Sequence, residues 1–238
     1  MKGVAADKRI DSSHGSFFIR AYITEAVGTF FLVLSVVCAV LSKSPLAALG
    51  IGLTLTVMVY AGGHLSGGHF NPAVTLGVLL RGKIDMVRAL GYCISQLVGG
   101  FLAAAVATFL VDPKMPQQIS PSGRDAWAVF LAEMLFSFAL VYVMLNVATS
   151  ADHPHNGFYG VAIGFTVAAG VVAVGGISGG LFNPAVALGS ATASMVEWSK
   201  IWIWLLAELT GSVLAAGMFL IQNPGDSRET IFTRHLKR

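Results

Sequence analysis

A twelve-residue stretch that occurs twice limits the possible folds of this chain more than any other feature. The segment SGGHFNPAVTLG at residues 66–77 returns as SGGLFNPAVALG at residues 178–189. Ten of the twelve positions are identical, and the offset between the copies is 112 residues. A glycine-rich turn followed by Asn-Pro-Ala therefore occurs at equivalent places in two halves of one chain.

The repetition extends beyond this stretch. Glu25 opens the segment EAVGTFFLV, Glu133 opens EMLFSFALV, and Gln96 corresponds to Glu208 at the same offset of 112. The polar, proline-rich segment DPKMPQQISPSGRD separates the two halves. We predict one transmembrane channel domain built from two repeats, with polar terminal segments; the repeats are about 17–112 and 122–222, and the termini are 1–16 and 223–238.

The composition places both halves in a membrane. Of the 238 residues, 55% are hydrophobic and 11% are charged, whereas a soluble domain carries about 25% charged residues. A helix needs roughly 20 apolar residues to cross the hydrocarbon core. Six apolar runs approach that length and predict an all-α membrane protein with six transmembrane helices: Phe17–Leu41, Leu46–Ala61, Val87–Val111, Ala126–Ala148, Phe158–Val174 and Ile201–Ile221.

The basic residues indicate the orientation of these spans. With six spans both termini lie on one side, and that side holds eleven of the fifteen Lys and Arg residues. Cytoplasmic segments carry the excess of Lys and Arg, so both termini are expected in the cytoplasm. We predict a multi-pass protein of a plasma or inner membrane rather than of an organelle. The net charge of +3 follows from this topology, and no nucleic-acid partner is expected.

Three spans per half make the second half cross the membrane in the opposite sense. Inverted repeats of this kind are a transport architecture with the pathway between the halves. A secondary transporter shares that architecture and is the alternative interpretation. An enzyme is not expected, because an intramembrane protease needs a nucleophile with a base or paired aspartates, and every aspartate lies outside the predicted spans. No cofactor or metal site is expected either, since Cys38 and Cys93 fit as packing residues.

The repeated stretch has the pattern of a helix start. Asn71 suits the N-cap, Pro72 suits the first helical position, and about ten residues of helix, roughly 15 Å, follow before Arg81-Gly82. Asn183 begins a second segment of similar length. Glycines before each segment predict non-helical backbone, which is tolerated at membrane depth only in a buried or water-lined position: Gly62, Gly63, Gly67, Gly68, Gly175, Gly176, Gly179 and Gly180. Two half-helices entering from opposite faces would meet at their N-termini and complete a seventh crossing.

The paired Asn-Pro-Ala boxes, the segment GHLSGGHFNPAVTLG and the EAVGT of the first span resemble the aquaporin (major intrinsic protein) family over nearly the whole chain. The resemblance implies six tilted spans with two reentrant half-helices. It also implies a passive channel for water and small uncharged solutes in each subunit of a homotetramer in membrane lipid. The pore midplane would be formed by the two boxes: Asn71, Pro72, Ala73, Asn183, Pro184 and Ala185.

Ion exclusion is expected at the same place. Each half-helix N-terminus carries roughly half a positive charge, so two of them oppose cations at the midplane. The asparagine side chains cap with their oxygens, and their amide N–H groups are expected to remain free as donors to a passing water. Backbone of the loops before each box is expected to line the pore: Gly67, Gly68, His69, Ser178 and Gly179. The resemblance also implies that Glu25 and Glu133 brace these loops by accepting hydrogen bonds.

The selectivity filter departs from the family pattern. Water-selective members carry an Arg directly after the second box and a His from the fifth span opposite it. Here Val186 follows the box, and ungapped alignment places Ile51, Val171 and Gly180 at the other filter positions. We therefore predict a wide, apolar and uncharged filter that admits ammonia, urea, hydrogen peroxide or glycerol besides water. Val186 resembles plant vacuolar-type aquaporins, whereas glycerol facilitators commonly carry Arg-Asp there.

Overall fold

Eight α-helices make up most of the structure, a computed structural model that describes residues 5–111 and 118–226, with side chains from residue 18 onward. Six of them are long and apolar enough to cross a membrane, whereas the third and seventh have ten and nine residues. The helices are α1 Ala5–Leu41, α2 Ala47–Ser66, α3 Pro72–Arg81, α4 Met86–Val111, α5 Gly123–Thr149, α6 Tyr159–Ser178, α7 Pro184–Thr192 and α8 Trp202–Gln222.

Three helix boundaries differ from the sequence prediction. The backbone of α1 is already helical from Ala5, because an apolar run locates a membrane span but not the polar turns that precede it. Helices α2 and α6 each run about one turn further than predicted, so the first pair of glycines before each box is helical. Only the second pair, Gly67-Gly68 and Gly179-Gly180, has positive φ angles, between 65° and 93°.

Both long helices that precede a box end in the same way. The N–H groups of Gly67 and Gly179 donate to the carbonyls of Gly63 and Gly175, four residues earlier, while their own φ angles are 92° and 93°. Glycine adopts this left-handed conformation without steric cost. Each glycine pair therefore turns the chain sharply from a full-length helix into a half-helix.

The short helices pack across the boundary between the halves. Helix α1 packs on α4 and α5 packs on α8 within each half, whereas α3 contacts α8 and α7 contacts α4. Helices α2 and α6 meet at Gly52 and Gly164, where a β-carbon on Gly52 would lie 2.6 Å from the Gly164 carbonyl oxygen. Small residues permit such close approach of membrane helices.

Arg81, the last residue of α3, fastens the end of this half-helix. Its side chain is fully buried, and it forms an ion pair with Asp226 at 3.2 Å. It also donates to the Asp226 and Thr149 carbonyls and lies 5.0 Å from the centre of the Phe219 ring. One buried cation therefore joins α3 to the end of α5 and to the segment that follows α8.

Candidate pore and selectivity filter

The two half-helices begin with the predicted caps. The Asn71 side-chain oxygen accepts from the N–H of Ala73 at 2.8 Å, and the Asn183 oxygen accepts from Ala185 at 2.9 Å. Both asparagines have extended backbone, with φ −159°. Pro72 and Pro184 follow at the first helical position, where the missing donor costs nothing.

The two caps are joined to each other by a reciprocal pair of hydrogen bonds. The amide nitrogen of Asn71 donates to the Phe182 carbonyl at 2.9 Å, and that of Asn183 donates to the Phe70 carbonyl at 2.9 Å. The half-helices therefore meet tip to tip. The expectation that both amide N–H groups stay free is wrong in part, because the partner loop takes one N–H of each amide. One N–H on each asparagine remains to donate to a pore water.

Phe70 and Phe182 are functional residues to which the sequence prediction gave no role. Both have φ 49°, an uncommon left-handed conformation for an aromatic residue. Each is fastened on both sides: its N–H donates to a glutamate and its carbonyl accepts from the opposite asparagine. The Phe70 ring fills space that a β-carbon on Gly28 would occupy. Their occurrence in both copies, directly before Asn-Pro-Ala, was the signal that could have found them.

Glu25 braces the first loop. One of its carboxylate oxygens accepts from the Ser66 hydroxyl at 2.6 Å and from the His69 N–H at 3.0 Å. The other accepts from the Phe70 N–H at 2.6 Å and from the Gln96 amide at 2.8 Å. The carboxylate is fully buried, so these four donors together replace its hydration.

The second loop has two carboxylates where the first has one. Glu133 accepts from the N–H groups of Leu181 at 3.0 Å and Phe182 at 2.7 Å. Glu208, for which the sequence gave no role, accepts from the backbone N–H of Asn183 at 3.0 Å. Both are fully buried. Glu208 therefore positions the backbone of the pore asparagine directly, whereas its counterpart Gln96 acts through Glu25.

Aromatic side chains hold the ends of the two long helices that precede the boxes. The Tyr92 hydroxyl donates to the Ser66 carbonyl at 2.7 Å, and the Trp204 indole N–H donates to the Ser178 carbonyl at 2.9 Å. Tyr92 and Trp204 are again 112 positions apart. The Ser178 carbonyl is thus occupied by Trp204. The interpretation of Ser178 as a pore-lining carbonyl is therefore wrong.

One enclosed cavity runs past both asparagines and most of the predicted filter. Asn71, Asn183, Ile51, Gly180 and Val186 all contribute to its wall, together with Gly68 and His69. The remaining wall is aliphatic and was predicted only as a class: Leu32, Val36, Leu55, Val74, Leu140, Met144, Ile163, Val167 and Leu181.

Val171 lies beside this cavity and not in its wall. Val167, one helical turn earlier, lines the cavity instead, and a β-carbon on Gly180 would lie 3.2 Å from Val171 Cγ2. Gly67 lines the wider cavity beyond His69, and Gly179 lines neither. The ungapped alignment places Val171 near the filter loop correctly, but it cannot resolve which turn of α6 faces the cavity.

The cavity is narrow and almost wholly apolar. Its volume of about 20 Å³ corresponds to roughly one water molecule, since a water needs at least about 10–15 Å³. The predicted absence of charge agrees with the wall, where aliphatic side chains surround the two asparagine amides. The predicted width does not, because Leu181 and Val167 take up space that a smaller residue would leave open.

The comparisons with known proteins come from the same length of chain. Residues 12–233 match the family described as Major intrinsic protein. The chain is 38% identical over 207 residues to "Glycerol uptake facilitator protein-like 6" of Lactiplantibacillus plantarum, covering 83% of this chain and 95% of that protein. It is 34% identical to Nodulin-26 of Glycine max over 224 residues, covering 90% and 82% of the two chains.

Two further comparisons involve a plant aquaporin and a solved structure. Identity to "Probable aquaporin TIP2-2" of Oryza sativa is 34% over 232 residues, covering 90% of this chain and 92% of that protein. The X-ray structure of the aquaglyceroporin from Plasmodium falciparum matches with a TM-score of 0.72 at 22% identity, covering 85% of this chain and 95% of that one. At that identity the solved structure supports the fold alone.

Proposed function

Because the chain belongs to the major intrinsic protein family, whose members are channels for water and small solutes, we propose that it conducts water and small uncharged solutes through an uncharged filter while excluding ions at the paired half-helices. The observation that carries this proposal is the meeting of Asn71 and Asn183 in the wall of one narrow cavity. Family membership favours the channel over the alternative of a secondary transporter.

Ion exclusion follows from the two half-helix ends. Two positive dipole ends that face one cavity raise the energy of any cation there. The remaining N–H of each asparagine donates to the oxygen of a passing water, so its hydrogens point away from the midplane in both directions. A proton that moves along a water chain needs one consistent orientation of the waters. Water therefore passes while protons are held back.

The filter residues govern which solutes enter. Ile51, Gly180 and Val186 offer no charge and no side-chain hydrogen bond to a solute, so the filter cannot replace the hydration of an ion. The narrow cavity favours water, ammonia and hydrogen peroxide, whereas urea and glycerol require the aliphatic wall to move. The printed names of relatives include a glycerol uptake facilitator-like protein and aquaporins, which supports testing both classes.

The assembly and topology complete the proposal. The chain is an integral multi-pass membrane protein, and we propose that both termini face the cytoplasm of a plasma or inner membrane. Large apolar side chains remain exposed along the spans, for example Val87 at 75% and Val172 at 77%. Such surfaces suit contact with lipid or with other subunits of a homotetramer.

Stopped-flow light scattering on proteoliposomes tests the filter assignment. Water, ammonia, urea and glycerol fluxes are measured in parallel for wild type and Val186→Arg, with Val186→Met as an uncharged control of similar length. We expect Val186→Arg to reduce urea and glycerol flux by about tenfold or more relative to water, since rejection of an unpaired polar solute costs about 1–3 kcal/mol. An equal reduction of all fluxes by both variants would contradict the assignment.

A further inference from the structure

A second, wider space opens from the end of the pore where α2 ends and α5 leads into α6. It consists of two adjoining cavities of about 390 and 280 Å³ that share His153 and His155 in their walls. Together they have the size of a small-molecule site, for which about 300–1,000 Å³ is usual. We call this space the basic vestibule, because its wall contains Lys83, Arg88, His64, His69, His153 and His155.

The charge of the basic vestibule is one-sided. None of the described residues that line the two cavities is Asp or Glu. The nearest carboxylates are engaged elsewhere: Asp85 accepts from the Arg88 backbone N–H at 2.9 Å, and Asp226 pairs with Arg81. A guanidinium, an ammonium and several imidazoles therefore converge on one space without an acidic partner in its wall.

His69 connects this space to the pore. It contributes to the wall of the narrow cavity and to that of the basic vestibule. Its ring is fixed by a 3.1 Å hydrogen bond between Nδ1 and the Thr75 hydroxyl and by an edge-to-face contact with Tyr92. A molecule bound in the vestibule against His69 would therefore cover the entrance to the single-file part of the pore.

We propose that the basic vestibule binds a small soluble anion with carboxylate or phosphate oxygens, and that the bound anion obstructs the pore. Arg88 supplies planar paired donors that match such oxygens, Lys83 supplies a point charge, and the imidazoles supply further N–H donors. Neutral solutes gain nothing from these charges and pass through. The site depends on the proposed conduction only for its effect on permeability, since binding itself can be measured without it.

Inorganic phosphate is the probe for binding. Purified protein in detergent is titrated with phosphate against chloride at equal ionic strength while its thermal unfolding is followed. We expect a saturable rise in Tm for wild type, and half-saturation shifted about tenfold for each of Lys83→Gln and Arg88→Gln, because each removes a charge-assisted hydrogen bond. Lys200→Gln is the matched control and should behave as wild type. An equal response to phosphate and chloride would overturn the site.

Permeability is measured separately in phosphatidylcholine vesicles. Phosphate on both sides of the membrane should reduce water flux of wild type with the same half-saturation as in the binding titration, and Lys83→Gln/Arg88→Gln should relieve the reduction. Binding without loss of flux would overturn the obstruction. Inhibition by vesicles containing phosphatidylglycerol, with none by free phosphate, would assign the site to a lipid headgroup and overturn the soluble ligand. Absence of water flux in phosphate-free wild type would refute the proposed function instead.

Discussion

Removing the carboxylate of Glu25 should destabilise the fold by an amount that depends on how many loop donors lose their acceptor. Glu25 accepts from four groups. Two of them keep other partners, because Ser66 Oγ also accepts from Gly68 N–H and the Gln96 amide also donates to Thr75. The backbone N–H groups of His69 and Phe70 have no such alternative. A buried donor without a partner costs about 1–3 kcal/mol, so Glu25→Ala should cost about 2–6 kcal/mol.

Glu25→Gln separates the hydrogen bonds from the bulk of the side chain. Its amide retains one acceptor oxygen and replaces the other with NH₂. The Gln96 side-chain oxygen has no hydrogen-bond partner in the described structure, so it can accept from that new NH₂ after rotating. One backbone N–H then remains without an acceptor, and the expected cost is about 1–3 kcal/mol.

Reversible unfolding in bicelles, followed by steric trapping, measures both free energies, and stopped-flow water flux reports the pore. The order of stability should be wild type, Glu25→Gln, Glu25→Ala. Glu197→Gln makes the same chemical change at an exposed site and should leave stability unaltered. If Glu25→Ala unfolded with the free energy of wild type, the loop donors would not depend on Glu25 and the bracing argument would be refuted.

Three further substitutions test other contacts by the same unfolding measurement. Glu208→Ala removes the acceptor of the Asn183 N–H and should cost about 1–3 kcal/mol, whereas Glu208→Gln keeps an oxygen there and should cost less; equal costs would refute the Asn183 contact. Gly164→Ala places a methyl group against Thr56 and the Gly52 carbonyl and should cost about 1–3 kcal/mol, while Gly217→Ala, with open space around it, should cost nothing. Arg81→Met breaks the ion pair with Asp226 and should cost about 3–5 kcal/mol, against no effect for the exposed Arg124→Met; a cost near zero for Arg81→Met would mean that α3 does not depend on this contact.

The sequence predicts the parts of the structure that local chemistry controls. Apolar runs locate six spans because the hydrocarbon core sets a minimum length, and Asn-Pro sets each half-helix start because the cap and the first turn are local. The cross-loop bonds from Asn71 and Asn183 could not be predicted, since they depend on how closely the two tips approach. The orientation of Val167 and Val171 escaped for the same reason, because helix rotation is decided by packing against α2 and the loops.

The offset of 112 residues separates what the two halves share from what makes them differ. Where both copies carry an equivalent residue the contact recurs, as with Tyr92 and Trp204 on the Ser66 and Ser178 carbonyls. Where the copies diverge, one end of the pore changes character. His69 corresponds to Leu181 and Lys83 to Met195, so the residues that give one entrance its charge are aliphatic or sulfur-bearing at the equivalent positions of the other half. Duplication therefore accounts for a symmetric midplane that repels cations, and divergence accounts for a pore with only one basic entrance. An anion that acts on this channel should consequently act from that entrance alone.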